Sequence, residues 1–244
     1  MINLLTRMEE ISLELGLRIN HAKTKLMVVD RANKLQLTGA LDLETVNDFV
    51  YLGSNISNTG SCEKEIRRRI GMAKSAMSQL QKIWKVRSIS RKTKVKLVNS
   101  LVFSIFNYGV ETWTLKKADR DRIDAFEMWC WRKMLQIPWF AFRTNESILR
   151  ELNVKTRLSS LCLRRILEFF GHIARKEGHN LEQLMVTGKV DGRRPRGRSP
   201  IRWSDQIRTS LNTNLHEALH GAKDRHRWRD IVRTKILRGN HDPQ

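Results

Sequence analysis

The sequence is short of cysteine, of long apolar runs and of acids relative to bases, and each shortage removes a class of protein. Its three cysteines, Cys62, Cys130 and Cys162, are odd in number and far apart. That argues against a disulfide framework and for a reducing compartment, with the thiols as small core residues. No window approaches the roughly 18 uncharged apolar residues of a membrane span. Residues 1–15 carry acids inside their apolar pattern, unlike a signal peptide. An intracellular protein, nuclear or cytoplasmic, with no membrane partner is expected. There is also no Cys-x-x-Cys pair, no Gly-rich phosphate loop and no Ser or Cys nucleophile motif. Cys162, His172 and His179 form only a weak zinc set, so no metal site is expected.

What the chain does have is base. Lys and Arg number 46 against 25 Asp and Glu, for a net charge of +21. The excess is uneven: −1 over residues 1–60, +11 over 61–138, +4 over 139–190 and +7 over 191–244. Self-repulsion of that size disfavours a compact state unless a polyanion screens it, which makes RNA, DNA or an RNA–DNA hybrid the expected partner. The 40% hydrophobic content is adequate for a core.

The apolar spacing divides the chain. Residues 1–15 place Leu4, Leu5, Met8, Ile11 and Leu15 at helical intervals before Gly16. Residues 26–29 and 49–56 then read as strands, with 35–37 a weaker third. From residue 61 the period turns helical, with Ile66, Ile70, Ala73, Met77, Leu80 and Trp84 on one stripe and Lys64, Arg67, Arg68, Lys74 and Lys82 off it. A second helix is expected from Ser90 as N-cap to about Tyr108, buried through Val95, Val98, Leu101, Val102 and Ile105. Its start carries Arg91, Lys92, Lys94 and Lys96, where the helix dipole disfavours cations. A phosphate docked there, or side chains splayed into water, would each relieve the conflict.

A third helix is expected over 117–137, with Ile123, Phe126, Trp129, Cys130 and Met134 inward. Its early Asp119, Asp121 and Asp124 fit dipole complementarity better than a metal site. Further helices are expected over 145–152 and 156–177. Residues 188–203 read as a basic linker, either tracking phosphates, serving nuclear import or simply solvated. A short helix near 204–211 and a longer one near 218–237, anchored by Trp228 and Ile231, complete the chain. The fold class is α+β: a small β-hairpin region at 1–60, helices at 61–138 and 139–187, and a basic linker with C-terminal helices at 188–244.

Four stretches in order, GLRINHAKTKLMVV, VNDFVYLGSNISNTGSCEKEIRRRIGMAKSAM, AFEMWCWRKML and GRRPRGRSPIRWSDQI, resemble the C-terminal part of a non-LTR (LINE-type) retrotransposon reverse transcriptase. The first is similar to the palm segment called motif D, and FVYLGSNIS to motif E, the primer-grip hairpin. The resemblance implies a palm remnant over 1–60, a helical thumb over 61–138 and a basic helical extension. It also implies that the family's Mg²⁺-binding carboxylates, the fingers and the rest of the palm lie upstream of this stretch, so that the chain alone is expected to be inactive as a polymerase and to hold no cofactor.

By that resemblance Lys23 would face the triphosphate, with Lys25 the neighbouring alternative. Tyr51, Leu52 and Gly53 would hold the primer end, and Arg67, Arg68, Lys74, Lys92 and Lys94 would contact template–primer phosphates. Arg193, Arg194, Arg196 and Arg198 in the linker are further phosphate candidates. The alternative is a domesticated, non-enzymatic module that binds nucleic acid or protein.

Overall fold

The computed structural model describes residues 2–29, 43–176, 181–187 and 201–238. The fold is α+β: one helix, a two-stranded antiparallel hairpin and then helices throughout. The chain divides into two compact units, residues 1–64 and 65–244.

Unit 1 opens with α1 (Ile2–Glu14), which Gly16 closes at φ +73°. Strands β1 (Asp48–Tyr51) and β2 (Ser54–Ser57) pair in the register Asp48↔Ser57 to Tyr51↔Ser54. Leu52 and Gly53 both have positive φ, +47° and +79°, which makes the connection a two-residue type I′ turn matched to strand twist. The apolar run at 26–29, expected as a strand, makes among the described residues an isolated parallel bridge of Leu26 to Thr45 and no ladder. Its β-branched residues suit a pleated surface, but strand character needs a partner, and one bridge is formed among the described residues. Residues 35–37 lie outside the described residues.

Unit 2 begins its helical run with α2 (Glu63–Gln79), most of which belongs to it, and α3 (Gln81–Lys85). The expected stripe is inward at Ile66, Ile70, Ala73, Met77 and Trp84, but the helix is not continuous: it breaks at Leu80, and the Trp84 indole N–H donates back to the Met77 carbonyl at 3.1 Å. Then follow α4 (Arg91–Leu97), a π turn (Val98–Val102) and α5 (Phe103–Phe106). Ser90 is the N-cap, its Oγ accepting from the Thr93 N–H at 3.1 Å. The expected single helix to about Tyr108 is thus interrupted: the Phe103 N–H donates to the Val98 carbonyl, five residues back, and this extra residue shifts the helical phase. Leu101, expected inside, is therefore 44% exposed, while Val98, Val102, Phe103 and Phe106 are buried.

After a 3₁₀ turn (Val110–Thr112) comes α6 (Lys117–Leu135), ending in a left-handed Gln136 before Pro138. Asp119 caps it, Oδ2 accepting from the Lys116 N–H at 3.2 Å. Its buried face carries Ile123, Phe126, Cys130 and Met134 as expected, but Trp131 rather than Trp129 is the buried tryptophan. Helices α7 (Asn145–Glu151), α8 (Leu158–Ala174) and α9 (Leu181–Thr187) follow, then α10 (Trp203–Leu211), α11 (Leu215–Lys223) and α12 (Arg225–Arg238). The last two replace the one longer helix expected. The chain breaks at Asp224, whose carboxylate accepts from the His226 and Arg227 N–H groups at 2.8 and 3.1 Å and starts a new helix.

The core is aromatic and edge-packed, with Phe103 against Trp131 at 5.2 Å and Phe106 against Trp113 at 5.5 Å between centroids. Helix α8 packs on α6, α11 and α12. Gly171 of α8 admits the Trp228 ring of α12: a Cβ there would lie 2.3 Å from the indole nitrogen, which donates to the Leu167 carbonyl at 2.9 Å. Helix α10 is clipped to the loop after α5. The Gln206 side chain donates to the Trp113 carbonyl at 2.6 Å and accepts from the Leu115 N–H at 3.0 Å, and the Trp203 indole donates to the Glu111 carbonyl at 2.9 Å. Both halves of the Gln206 amide thus satisfy buried backbone groups that would otherwise cost about 1–3 kcal/mol each. Among the described residues no helix is long and apolar enough to cross a membrane.

Candidate nucleic-acid interface

The triple arginine of α2 illustrates how the helix sorts its cations. Successive residues point about 100° apart, so only some of Arg67, Arg68 and Arg69 can face out. Arg69 turns in, its Nε donating to Glu65 at 2.7 Å and its guanidinium 4.4 Å above the Tyr108 ring centre. Arg68 forks onto the same carboxylate at 2.7 and 3.1 Å and is half-buried. A buried Glu65 shared between two guanidiniums is a positioning device for the helix surface.

Arg67 is exposed. Lys74, seven residues on and so nearly aligned with it, is exposed with its ammonium 5.2 Å from the Trp129 ring centre. This explains why Trp129 stays half-exposed at the helix surface.

At the start of α4 the four cations have different fates. Arg91 pairs with Glu151 at 3.0 Å, a carboxylate that also takes Arg143 at 2.6 Å. Lys94 donates to the Trp84 carbonyl at 2.8 Å, satisfying a terminal carbonyl of α3. Lys92 and Lys96 are exposed. The Thr93 N–H that a docked phosphate would have needed is already taken by Ser90. Lys94 therefore acts first as a structural cation, and Lys92 and Lys96 are outward.

In unit 1, Lys23 sits in a turn, its N–H donating to the Asn20 carbonyl and side-chain oxygen, both at 3.1 Å. Its side chain is exposed. Neighbouring Lys25 pairs with Glu44. Tyr51, Leu52 and Gly53 form the exposed hairpin tip, Leu52 at 75%. The structure thus brings Lys23 and the Tyr51–Leu52–Gly53 tip into unit 1 and Arg67, Arg68, Lys74, Lys92 and Lys94 into unit 2. Arg193, Arg194, Arg196 and Arg198 lie outside the described residues.

Three carboxylates of α6 and two buried thiols are engaged by the fold. Asp119 takes Arg122 at 3.0 Å, Asp124 accepts from the Ser159 N–H at 3.1 Å, and Glu127 takes Arg157 at 2.7 Å. Burial pushes the Glu127 carboxyl above its ordinary range, against the pull of Arg157. Such a donor set does not fit the two Mg²⁺ ions of polymerase chemistry, which need convergent carboxylates not already neutralised by guanidinium. Burial likewise pushes the Cys130 and Cys162 thiols well above their usual value, so both are packing residues and not nucleophiles. Cys162 is buried in the core while His172, ten residues along α8, is exposed, so this pair of the zinc set does not converge; His179 lies outside the described residues. Among the described residues no cluster of three or more His, Cys, Asp or Glu could hold a metal.

Residues that sequence reasoning missed are Arg69 with Tyr108, and Trp203 with Gln206. Arg69 carried a signal, because it follows Glu65 at i+4 on the buried side of the stripe. Gln206 carried none, since its partners lie 91 and 93 residues away.

The chain is similar to a Caenorhabditis elegans protein named as an uncharacterized transposon-derived protein, with 27% identity over 236 residues covering 90% of this chain and 84% of that one. No family model matches the chain. No solved structure matches it.

Proposed function

We propose that this is a transposable-element protein that binds nucleic acid through phosphates, and that its unit 2 corresponds to the thumb and C-terminal extension of a non-LTR reverse transcriptase. The observation that carries this reading is the division of charge between the units. The chain's +21 separates into −1 over residues 1–64 and +22 over 65–244. Unit 2 has an adequate core without that charge, so the excess is a property of its surface and its partner. The transposon-derived relative supports the element origin, and the hairpin tip at Tyr51, Leu52 and Gly53 is compatible with a primer-grip role. Of the expected phosphate contacts on α2 and α4, Arg67, Lys74 and Lys92 are the exposed ones, with Arg68 beside them held by Glu65.

Binding of this kind reads the backbone and not the bases, so it tolerates sequence and responds steeply to salt. Affinity for a fluorescein-labelled RNA–DNA hybrid, followed by anisotropy, is expected to fall about a thousandfold between 50 and 200 mM salt. Replacing Arg67, Lys74 and Lys92 together by Gln should make the log–log salt slope less steep by about three. A flat salt response in the unaltered protein overturns the reading. On this reading the metal-binding carboxylates belong to another part of the palm, so primer extension on an RNA template is not expected of residues 1–244, and its observation would overturn the assignment to thumb and extension alone.

A further inference from the structure

Helices α8 and α12 enclose a groove of about 590 Å³ whose walls carry Arg164, Glu168, Arg175, Arg225, Arg229 and Arg233. Its floor is Trp228, Val232 and Ile236, all buried. Among the described residues lining it Glu168 is the one carboxylate, and it is taken by Arg164 at 2.8 Å. Arg175 is held half-buried by donating to the Ala222 carbonyl at 2.8 Å. Burial and the charge of Arg225 together push its guanidinium below the ordinary arginine value.

Arg225, Arg229 and Arg233 stand at i, i+4 and i+8, an exposed stripe of like charge that destabilises its own helix. Nothing in the packing calls for this arrangement, since Trp228, Val232 and Ile236 supply the contact with α8. The cations are also all arginine, whose planar fork matches a tetrahedral oxyanion in two bonds.

We propose that the α8–α12 groove is a second phosphate track, taking successive phosphates of one nucleic-acid strand, separate from the α2 and α4 surface. The stripe spans about 12 Å at 1.5 Å per residue, long enough to meet more than one phosphate of a strand whose axial rise is about 3.4 Å per phosphate. The identity of the polymer rests on the function proposed above; the anion site itself rests on the groove.

The test uses the full chain and the double variant Arg229→Gln with Arg233→Gln, both exposed positions that leave the floor intact. Affinity for the labelled hybrid should fall about tenfold, and the salt slope should become less steep by about two, additively with the α2 and α4 variant. A thermal midpoint no lower than that of the unaltered protein confirms the fold. Retained affinity and slope in the double variant, while the unaltered protein binds, overturn the groove and leave the proposed function standing. Absence of binding by the unaltered protein defeats the proposed function itself. Poly-glutamate of equal charge bound as tightly as the hybrid, and lost equally in the double variant, overturns the phosphate assignment in favour of an acidic protein partner.

Discussion

Unit 1 and unit 2 satisfy their chains by different means. Among the described residues of 1–64 the one buried side chain is Ser57, and α1 leaves Leu4, Met8, Ile11 and Leu13 exposed along its length. Hydrogen bonds carry that unit: the hairpin register, the turn at Lys23 and the bridge at Leu26. Unit 2 buries Trp84, Trp113, Trp131, Phe106 and Phe170 almost completely and keeps most of its charge at the surface, the buried Glu65, Arg69, Asp119 and Glu127 aside. The lesson is that the basic surface is affordable only where such a core exists, because repulsion of this size must be offset by apolar burial of about 1.5–3 kcal/mol per large side chain. A thin sheet with net charge near zero needs no such reserve.

The largest test of that contrast is a matched pair of truncations. Phe106→Ala should destabilise unit 2 by about 3–5 kcal/mol in denaturant unfolding, because the vacated space lies among Trp113 and Phe126 and cannot collapse. Phe49→Ala, half-buried in β1 opposite Ile56, should cost about 1 kcal/mol or less. Equal costs would erase the distinction between the units.

A smaller effect sharpens it. Gly171→Ala would ordinarily gain helix stability, yet here the added methyl meets the Trp228 ring, and a loss of about 1–3 kcal/mol is expected from thermal unfolding. A gain would mean that α8 and α12 are looser than their packing indicates. The smallest is of opposite sign and belongs to unit 1. Leu52 holds a left-handed φ of +47° at 75% exposure, so Leu52→Asn should relieve about 1 kcal/mol and slow amide exchange across the hairpin. Unchanged exchange would show that the turn does not limit hairpin stability.

Much of the fold was legible because local periodicity and capping carry it. The stripe from Ile66 to Trp84, the Ser90 cap and the stop of α6 before Pro138 all follow from spacing and side-chain chemistry. Trp131 was legible in principle, since it continues the register Ile123, Glu127, Trp131. A charged Glu127 in the middle hid it, because its neutralising Arg157 is 30 residues away. The strand at 26–29 misled for the converse reason: residue type fits a sheet, but pairing is a property of a partner. Of the candidate site, the outward facing of Arg67, Lys74 and Lys92 follows from helical phase. The diversion of Lys94 to Trp84 and of Arg91 to Glu151 depends on contacts between helices that spacing along the chain does not encode.

The π turn at Val98–Val102 is an angular setting as well as an irregularity. An α-helix advances about 100° per residue, so one inserted residue turns everything before it by more than a quarter of a revolution relative to everything after. Phe103 and Phe106 are seated in the core, which fixes the zero of the dial; the bearing of Lys92 is read from it. Removing one residue between Val98 and Val102 would leave composition, charge and both flanking helices nearly the same, and would aim the cations of α4 in another direction.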